Sequence, residues 1–409
     1  MPGIAWPYSE DIEAIREGLS SFIERVVIPI SERKSELLEE GRYTPQGLYK
    51  PEVLAIMREV RERSAEAGYY SMCVPEEMGG AGLGYLANFA AWERIFHICG
   101  AKYWLAQQVI SHWVRGPSPV LRALTPEMLD EVLPGLMSGK LTTCFALSEP
   151  EAGSDAAAIK TRAVPHGDGW IVNGAKMWTT NSPYADYAII FAVTDPELAQ
   201  ARKGGISAFL VPTNTPGFLI QSPIKMWGEA GADEAQIAFE DMRVERRHLI
   251  GELHKGFGIA MLGAGLGRMY NCGRAIGLGR WALEMGLEYV KIRKTFGRPL
   301  SDNQGLTFPL ANAALDLHGA HLISRNAATL LDEGERAQKE LAFAKVVAAE
   351  AACKAVDTVI QAHGAIGFTN EMHLTHAYST LRKIRVADGA SEIMRRQIVK
   401  NLLSGDLAI

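Results

Sequence analysis

Residues 141–180 read "LTTCFALSEPEAGSDAAAIKTRAVPHGDGWIVNGAKMWTT", and the fold turns on how this stretch is taken. Short runs of β-branched and aromatic residues, "LTTCFALSE" and "GWIVNGAKMWTT", are separated by Gly, Asn and Pro, a texture that predicts strands. "HGDG" at 166–169 and "NG" at 173–174 are both hairpin-turn signals. "DYAIIFAVTD", "ISAFLVPTN" and "AQIAFEDMRV" continue the pattern, so the region predicts an all-β insert.

On either side the period changes to that of a helix. Upstream, Ser9 precedes Ile12, Ile15, Leu19, Phe22, Ile23 and Val26, one apolar stripe behind a hydroxyl cap. "PEVLAIMREVRERSAEAGYY" and "YLANFAAWERIFHICGA" read as further helices, joined through the Gly-rich loop "VPEEMGGAGLG". Downstream, long helices are expected near 256–290, 304–332 and 336–363, with a shorter one after 390. The order helices, strands, helices predicts an α+β protein: a helical domain over 1–140, a β-domain over 141–250 and a helical bundle over 251–409.

Composition bounds the function. A chain of 409 residues exceeds what one hydrophobic core supports, and 47% hydrophobic with 22% charged residues is the balance of a soluble globular enzyme. A net charge of −5 provides no global attraction to nucleic acid or an anionic membrane. The amino terminus lacks the basic-then-apolar pattern of a signal peptide and no apolar run approaches a membrane span, so a cytoplasmic chain, or a processed one in an organelle matrix, is expected. Cys73, Cys99, Cys144, Cys272 and Cys353 are odd in number and contain no CxxC pair, which argues against a disulfide framework or a zinc ribbon. His318 and His321, His373 and His376, and Glu245-x-x-His248 make neither a di-iron set nor an HExxH, so no metal is expected. "GAGLG" at 263–267 lies within helical periodicity and is not a dinucleotide fingerprint, and the sequence has no G-x-S-x-G elbow or P-loop.

Five stretches remain as carriers of chemistry, each with a plainer alternative. "SEPEAGSD" (148–155) leaves a strand through small residues and hydroxyls that let backbone N–H groups approach a phosphorylated ligand, or it is a surface turn. "NGAKMWTTN" (173–181) offers a Trp to cover a flat ring and Thr hydroxyls for its heteroatoms, or a core Trp. "RKTFGRPLSDNQ" (293–304) offers an Arg suited to a diphosphate, or one that complements a helix dipole. "IQAHGAIGF" (360–368) is a Gly-interrupted helix end, either an approach to a ligand or a C-cap. "IRVADGASEIMRR" (384–396) sets Asp388 between a small apolar run and Gly389, as a turn or N-cap or as a placed base.

Together and in this order, with "VPEEMGGAGLG" and "FEDMRVERRHLIGELHKGFGIAM", these motifs make the chain resemble the flavin-dependent acyl-CoA dehydrogenase family over nearly its whole length. The resemblance implies FAD between the β-domain, the helical bundle and a neighbouring subunit. It also implies a homotetramer built as a dimer of dimers, an acyl-CoA substrate from fatty acid β-oxidation, and an electron-transfer flavoprotein as acceptor. Carried over by position, Phe145, Leu147, Ser148, Trp178 and Thr180 resemble the flavin-edge contacts. Arg293, Phe296, Gln304, Gln361 and Gly364 resemble contacts to the ADP half of FAD given across the dimer. Ser154, Arg268 and Gly389 fall on the acyl-CoA side. The family's usual catalytic carboxylate is a Glu followed by Gly; here the matching residue is Asp388, and the alternative base position on the long helix is Gly267, which cannot serve. The implied reaction is oxidation of the thioester to a trans-2-enoyl-CoA, with Asp388 removing the α-proton and the flavin accepting the β-hydride. Two other readings share the fold: a nitroalkane-oxidase-like flavin oxidase of a small carbon acid, and a catalytically silent flavoprotein.

Overall fold

The computed structural model describes residues 7–229 and 231–408. In chain order its helices are α1 (Glu10–Phe22), α2 (Ile28–Arg33), α3 (Pro51–Glu66), α4 (Tyr85–Cys99), α5 (Pro126–Met137), α6 (Pro196–Gln200), α7 (Gly256–Ile292), α8 (Gln304–Asp332), α9 (Gln338–His363), α10 (Leu374–Ile384) and α11 (Ser391–Leu403). The strands of the insert are β1 (Thr143–Ala146), β2 (Arg162–His166), β3 (Gly169–Thr180), β4 (Tyr187–Val193), β5 (Ile206–Pro212), β6 (Phe218–Ile224), β7 (Glu234–Val244) and β8 (Leu249–Ile250). A short hairpin, β9 (Lys294–Thr295) and β10 (Arg298–Pro299), follows α7. The chain divides into two compact units: one holds the chain up to Arg33, Leu83–Ala106 and everything from Gly265 on; the other holds Lys34–Gly82 and Gln107–Ala264.

In the second unit the strands form one sheet in the order β6-β7-β3-β2-β4-β5-β8, with β1 added in parallel on β4. "HGDG" closes the β2–β3 hairpin as expected, with His166 opposite Gly169. "NG" at 173–174 does not turn the chain. It lies inside β3, where the register against β7 shifts between Val172 and Gly174. The strand runs on because β3 is paired on both sides, and a turn there would sacrifice the ladder to β7 that extends as far as Thr180. β6 escaped the sequence reading because it is an edge strand: Phe218 is buried while the rest of "FLIQSPI" is exposed or partly so, leaving no clean alternation. The sheet packs through Val172, Ile190, Phe209 and Ile237, all fully buried, and each such side chain contributes about 1.5–3 kcal/mol.

In the first unit Ser9 caps α1, its hydroxyl accepting from the Ile12 N–H as the sequence suggested. α7 approaches α4 closely because Gly277 has no side chain; a Cβ there would come within 2.5 Å of the Glu93 carbonyl oxygen. Glu93 is buried and ties three helices together: Oε1 accepts from Arg280 Nη1 at 2.7 Å and pairs with His321 Nδ1 at 3.1 Å. Burial pushes this carboxyl up, but His321 and Arg280 outweigh it and hold the pKa at about 2. His321 is therefore structural, and Glu245-x-x-His248 is a capping box. α10 was not expected; its stripe Leu374, Ala377, Leu381 and Ile384 is helical, but it sits between "HGAIGF" and "ADG" and passes for a connection. None of the five cysteines is in a disulfide. Among the described residues no helix is long and apolar enough to cross a membrane, and no group of three or more His, Cys, Asp or Glu could hold a metal ion.

Candidate active site

The turn between α10 and α11 carries Asp388 and Gly389, both with left-handed backbone, φ 53° and 100°. Gly389 is required here: besides its φ, a Cβ would meet Met394 Cε at 2.6 Å. Aspartate is among the few L-residues that accept this conformation, so the turn can place its carboxylate there. Asp388 does not cap α11, whose N-cap is Ala390. Its Oδ2 instead accepts from Asn271 Nδ2 at 2.8 Å, and its backbone carbonyl accepts from Arg268 Nε at 2.9 Å. From α9, Lys345 Nζ donates to the Gly389 carbonyl at 2.6 Å. α7 and α9 thus grip both carbonyls of the Asp-Gly turn with cations, while the carboxylate is held by a neutral amide.

The electrostatics follow from that division. Burial pushes the Asp388 carboxyl up to about 6, against the pull of Arg268, Lys345 and the Asn271 hydrogen bond. Burial also lowers Lys345 to about 8 and lowers the Arg268 guanidinium, each opposed by Asp388. A carboxylate poised near neutrality is a usable general base. Asn271 and Lys345 were missed in the sequence. Asn271 stands one turn after Arg268 on α7, a spacing that could have flagged it; Lys345 is 1% exposed inside the alanine-rich run of α9 and carried no signal.

Elsewhere in the same unit the hairpin after α7 places Phe296 and Gly297 at its two turn positions, both with positive φ (50° and 80°), and the Phe296 ring is fully exposed. Tyr289 near the end of α7 stacks on His363 at the end of α9, with ring centroids 4.2 Å apart. That stack sets Arg293, one turn beyond Tyr289, near the α9 terminus that carries Gln361 and Gly364. Gln304 opens α8 behind the Asn303 cap. Arg293, Phe296, Gln304, Gln361 and Gly364 are all exposed.

In the β-unit, Lys176 organises the other group. Its side chain is fully buried; Nζ donates to the Leu147 carbonyl at 3.0 Å and to Glu149 Oε1 at 2.8 Å. The Met177 N–H donates to the Ser148 carbonyl at 2.9 Å. Glu149 in turn accepts from the Lys160 and Thr161 N–H groups, so the turn after β1 is held from beneath. A second register shift in β3, between Lys176 and Thr179, gives Trp178 a left-handed φ of 61° and leaves its ring 49% exposed. The structure therefore collects Leu147, Ser148 and Trp178 at the joined ends of β1 and β3. Phe145 of β1 packs edge-on to Trp113 from the segment before α5, and Thr180 pairs with Glu234 at the end of β3. Ser154 lies apart on an exposed turn, next to Asp155, which forms a two-pronged ion pair with Arg202.

Comparison with known proteins decides the family. Models of the acyl-CoA dehydrogenase N-terminal, middle and C-terminal domains match residues 9–140, 144–242 and 254–403. The chain belongs to the acyl-CoA dehydrogenase family. Human mitochondrial short-chain specific acyl-CoA dehydrogenase is 39% identical over 336 residues, covering 82% of this chain and 80% of that protein. The caffeyl-CoA reductase-Etf complex subunit CarC of Acetobacterium woodii is 30% identical over 401 residues, covering 97% and 99%. Butyryl-CoA dehydrogenase from Megasphaera elsdenii superposes with a TM-score of 0.81 at 26% identity, covering 98% and 100%.

As a member of the acyl-CoA dehydrogenase family the protein is an oxidoreductase of CH–CH bonds whose cofactor is FAD. The residues present suit that group. In the β-unit Trp178 is a half-exposed ring beside strand ends that carry the Ser148 and Thr180 hydroxyls, and in the first unit Arg293 and Gln304 are exposed donors of the kind that a diphosphate takes.

Proposed function

We propose that the protein catalyses α,β-dehydrogenation of an acyl-CoA thioester to the trans-2-enoyl-CoA, with Asp388 as the base. The observation that carries this reading is the Asp388 carboxylate itself: half-buried, raised to about 6, and held on Oδ2 by a neutral donor. An α-proton of a thioester is very weakly acidic, so its removal near neutral pH needs a placed base and hydrogen bonds to the carbonyl where charge develops. Asp388 takes the proton, and its own backbone N–H is assigned to the thioester carbonyl. Bound FAD supplies the acceptor for the β-hydride. Burying the carboxylate further under the substrate raises its basicity again.

FAD would be held by Phe145, Leu147, Ser148, Trp178 and Thr180 at the ring and by Arg293, Phe296, Gln304, Gln361 and Gly364 at the ADP half, the latter set given across a dimer of a homotetramer. Ser154, Arg268 and Gly389 serve the acyl-CoA. An electron-transfer flavoprotein takes the electrons, a reading supported by the Etf-complex relative. Aspartate is one methylene shorter than the glutamate usual at this place, so the substrate must sit closer to the turn, and the small Ala387 beside it leaves room.

Anaerobic titration of the holoenzyme with acyl-CoA esters of different chain length tests the proposal. Bleaching of the flavin by at least one ester supports it. Absence of bleaching by every ester overturns it and leaves the silent flavoprotein. Bleaching by a small nitroalkane instead, with rapid reoxidation in air, assigns the oxidase.

A further inference from the structure

We propose that Asn271 is a positioning residue: its amide pins Oδ2 of Asp388 and so makes Oδ1 the atom that receives the substrate's α-proton. The inference rests on Asp388 being the base. Its ground is geometric. Arg268 and Asn271, one turn apart on α7, hold the same residue at two points, the carbonyl at 2.9 Å and the carboxylate at 2.8 Å. Asn271 is 5% exposed, and its donor is aimed at the carboxylate from inside the helix packing. A carboxylate without that bond has two equivalent oxygens and a rotating terminal torsion; with it, one oxygen is committed and the other is left for chemistry. A short aspartate arm has little reach to spare, so fixing its direction matters more than it would for glutamate.

The choice of a neutral amide is part of the device. The charged groups facing Asp388 are Arg268 from α7 and Lys345 from α9, and each donates to a backbone carbonyl, of Asp388 and Gly389 respectively. α11 meets the turn with the apolar Met394. A cation in the place of Asn271 would orient the carboxylate equally well and weaken it as a base. The step itself balances simply: the α-C–H bond breaks, an O–H bond forms at Oδ1, and the electron pair stays on the thioester as its enolate.

The test reads proton transfer without any redox step. An acyl-CoA whose β-carbon is replaced by sulfur can lose its α-proton but has no β-hydrogen to give, so α-hydrogen exchange in D₂O, followed by proton NMR across pH, reports Asp388 alone. At low ester concentration, where exchange reports the free wild-type holoenzyme, it should rise with pH through a midpoint near 6. Asn271→Leu should lower the plateau roughly 10- to 100-fold and move the midpoint up by about one pH unit. Asn271→Asp keeps the size and shape of the side chain, serves as the second variant should the leucine one fail to fold, and should move the midpoint further because two adjacent carboxylates share one proton. Unmoved midpoints in both variants, with or without a lower plateau, reduce Asn271 to packing and overturn the inference. Asp388→Asn separates the two levels: it should abolish exchange, and exchange undiminished in that variant would remove the base assignment and this inference with it.

Discussion

Arg268 donates to the backbone carbonyl of Asp388 at 2.9 Å, so the cation nearest the acid holds its main chain and leaves the carboxylate to Asn271. A direct ion pair would have pulled the carboxyl down; here burial wins and raises it to about 6.

Flavin reduction should depend on Asp388 in its charged form. The second-order rate constant at low acyl-CoA, which reports the free enzyme, should rise with pH through an acid limb near 6, measured by anaerobic stopped-flow, and the limb at saturating acyl-CoA should lie higher. A limb near the ordinary aspartate value of about 4 would mean that the carboxyl is not desolvated in the working enzyme.

The same raised pKa has a stability consequence. A carboxyl that binds its proton more tightly when folded than when unfolded contributes stability at low pH, and that contribution is lost as pH rises through the folded value near 6. Asp388→Asn should therefore stabilise the holoenzyme at pH 7.5 by roughly 1–3 kcal/mol. The advantage should shrink towards pH 4, as read by thermal melts across pH.

Asp388→Glu should slow flavin reduction. The turn is fixed by Arg268 and Lys345 through its two carbonyls, so it cannot retreat to accommodate a longer arm, and the added methylene collides with the substrate or misdirects the oxygen. A loss of roughly 10- to 100-fold in the reduction rate is expected, with acyl-CoA binding little changed. An unaltered rate would show that the turn is not rigid.

Much of this architecture was readable in the residues. The alternation of strand runs after residue 140 and the helical period on either side gave the layout, and "HGDG" gave its hairpin. "NG" at 173–174 misled because turn chemistry is local, while the pairing that keeps β3 straight comes from β7, more than sixty residues on. Asp388 could be singled out from its motif, but its partner Asn271 lies 117 residues away, and only folding shows that they meet. The left-handed backbone at Trp178 and Phe296 had no sequence signature, since bulky residues are not chosen for that conformation, whereas aspartate tolerates it and the Asp388-Gly389 pair reads as a turn.

Trp178→Gly tests whether that strain serves FAD. Glycine accepts φ of 61° freely, so relief of about 1 kcal/mol should keep the apoprotein at least as stable as the parent. Loss of the exposed ring should weaken FAD binding by about tenfold. Fluorescence titration of the apoprotein and its melting temperature check the two halves separately.

Lys176→Met should destabilise the β-unit by about 3 kcal/mol, because Glu149 would remain buried with its charge unpaired and the Leu147 carbonyl would lose its donor. Adding Glu149→Gln should recover part of the loss in denaturant melts. A single variant as stable as the parent would mean that the turn carrying Leu147 and Ser148 is held by other contacts.

The most direct measurement is anaerobic stopped-flow of flavin bleaching, comparing wild-type holoenzyme with Asp388→Asn on the acyl-CoA ester that reduces the wild type fastest. Both proteins should carry FAD and bind the ester, and the variant's reduction rate should fall by roughly 10²- to 10⁴-fold. Reduction of the variant at an undiminished rate would contradict the account.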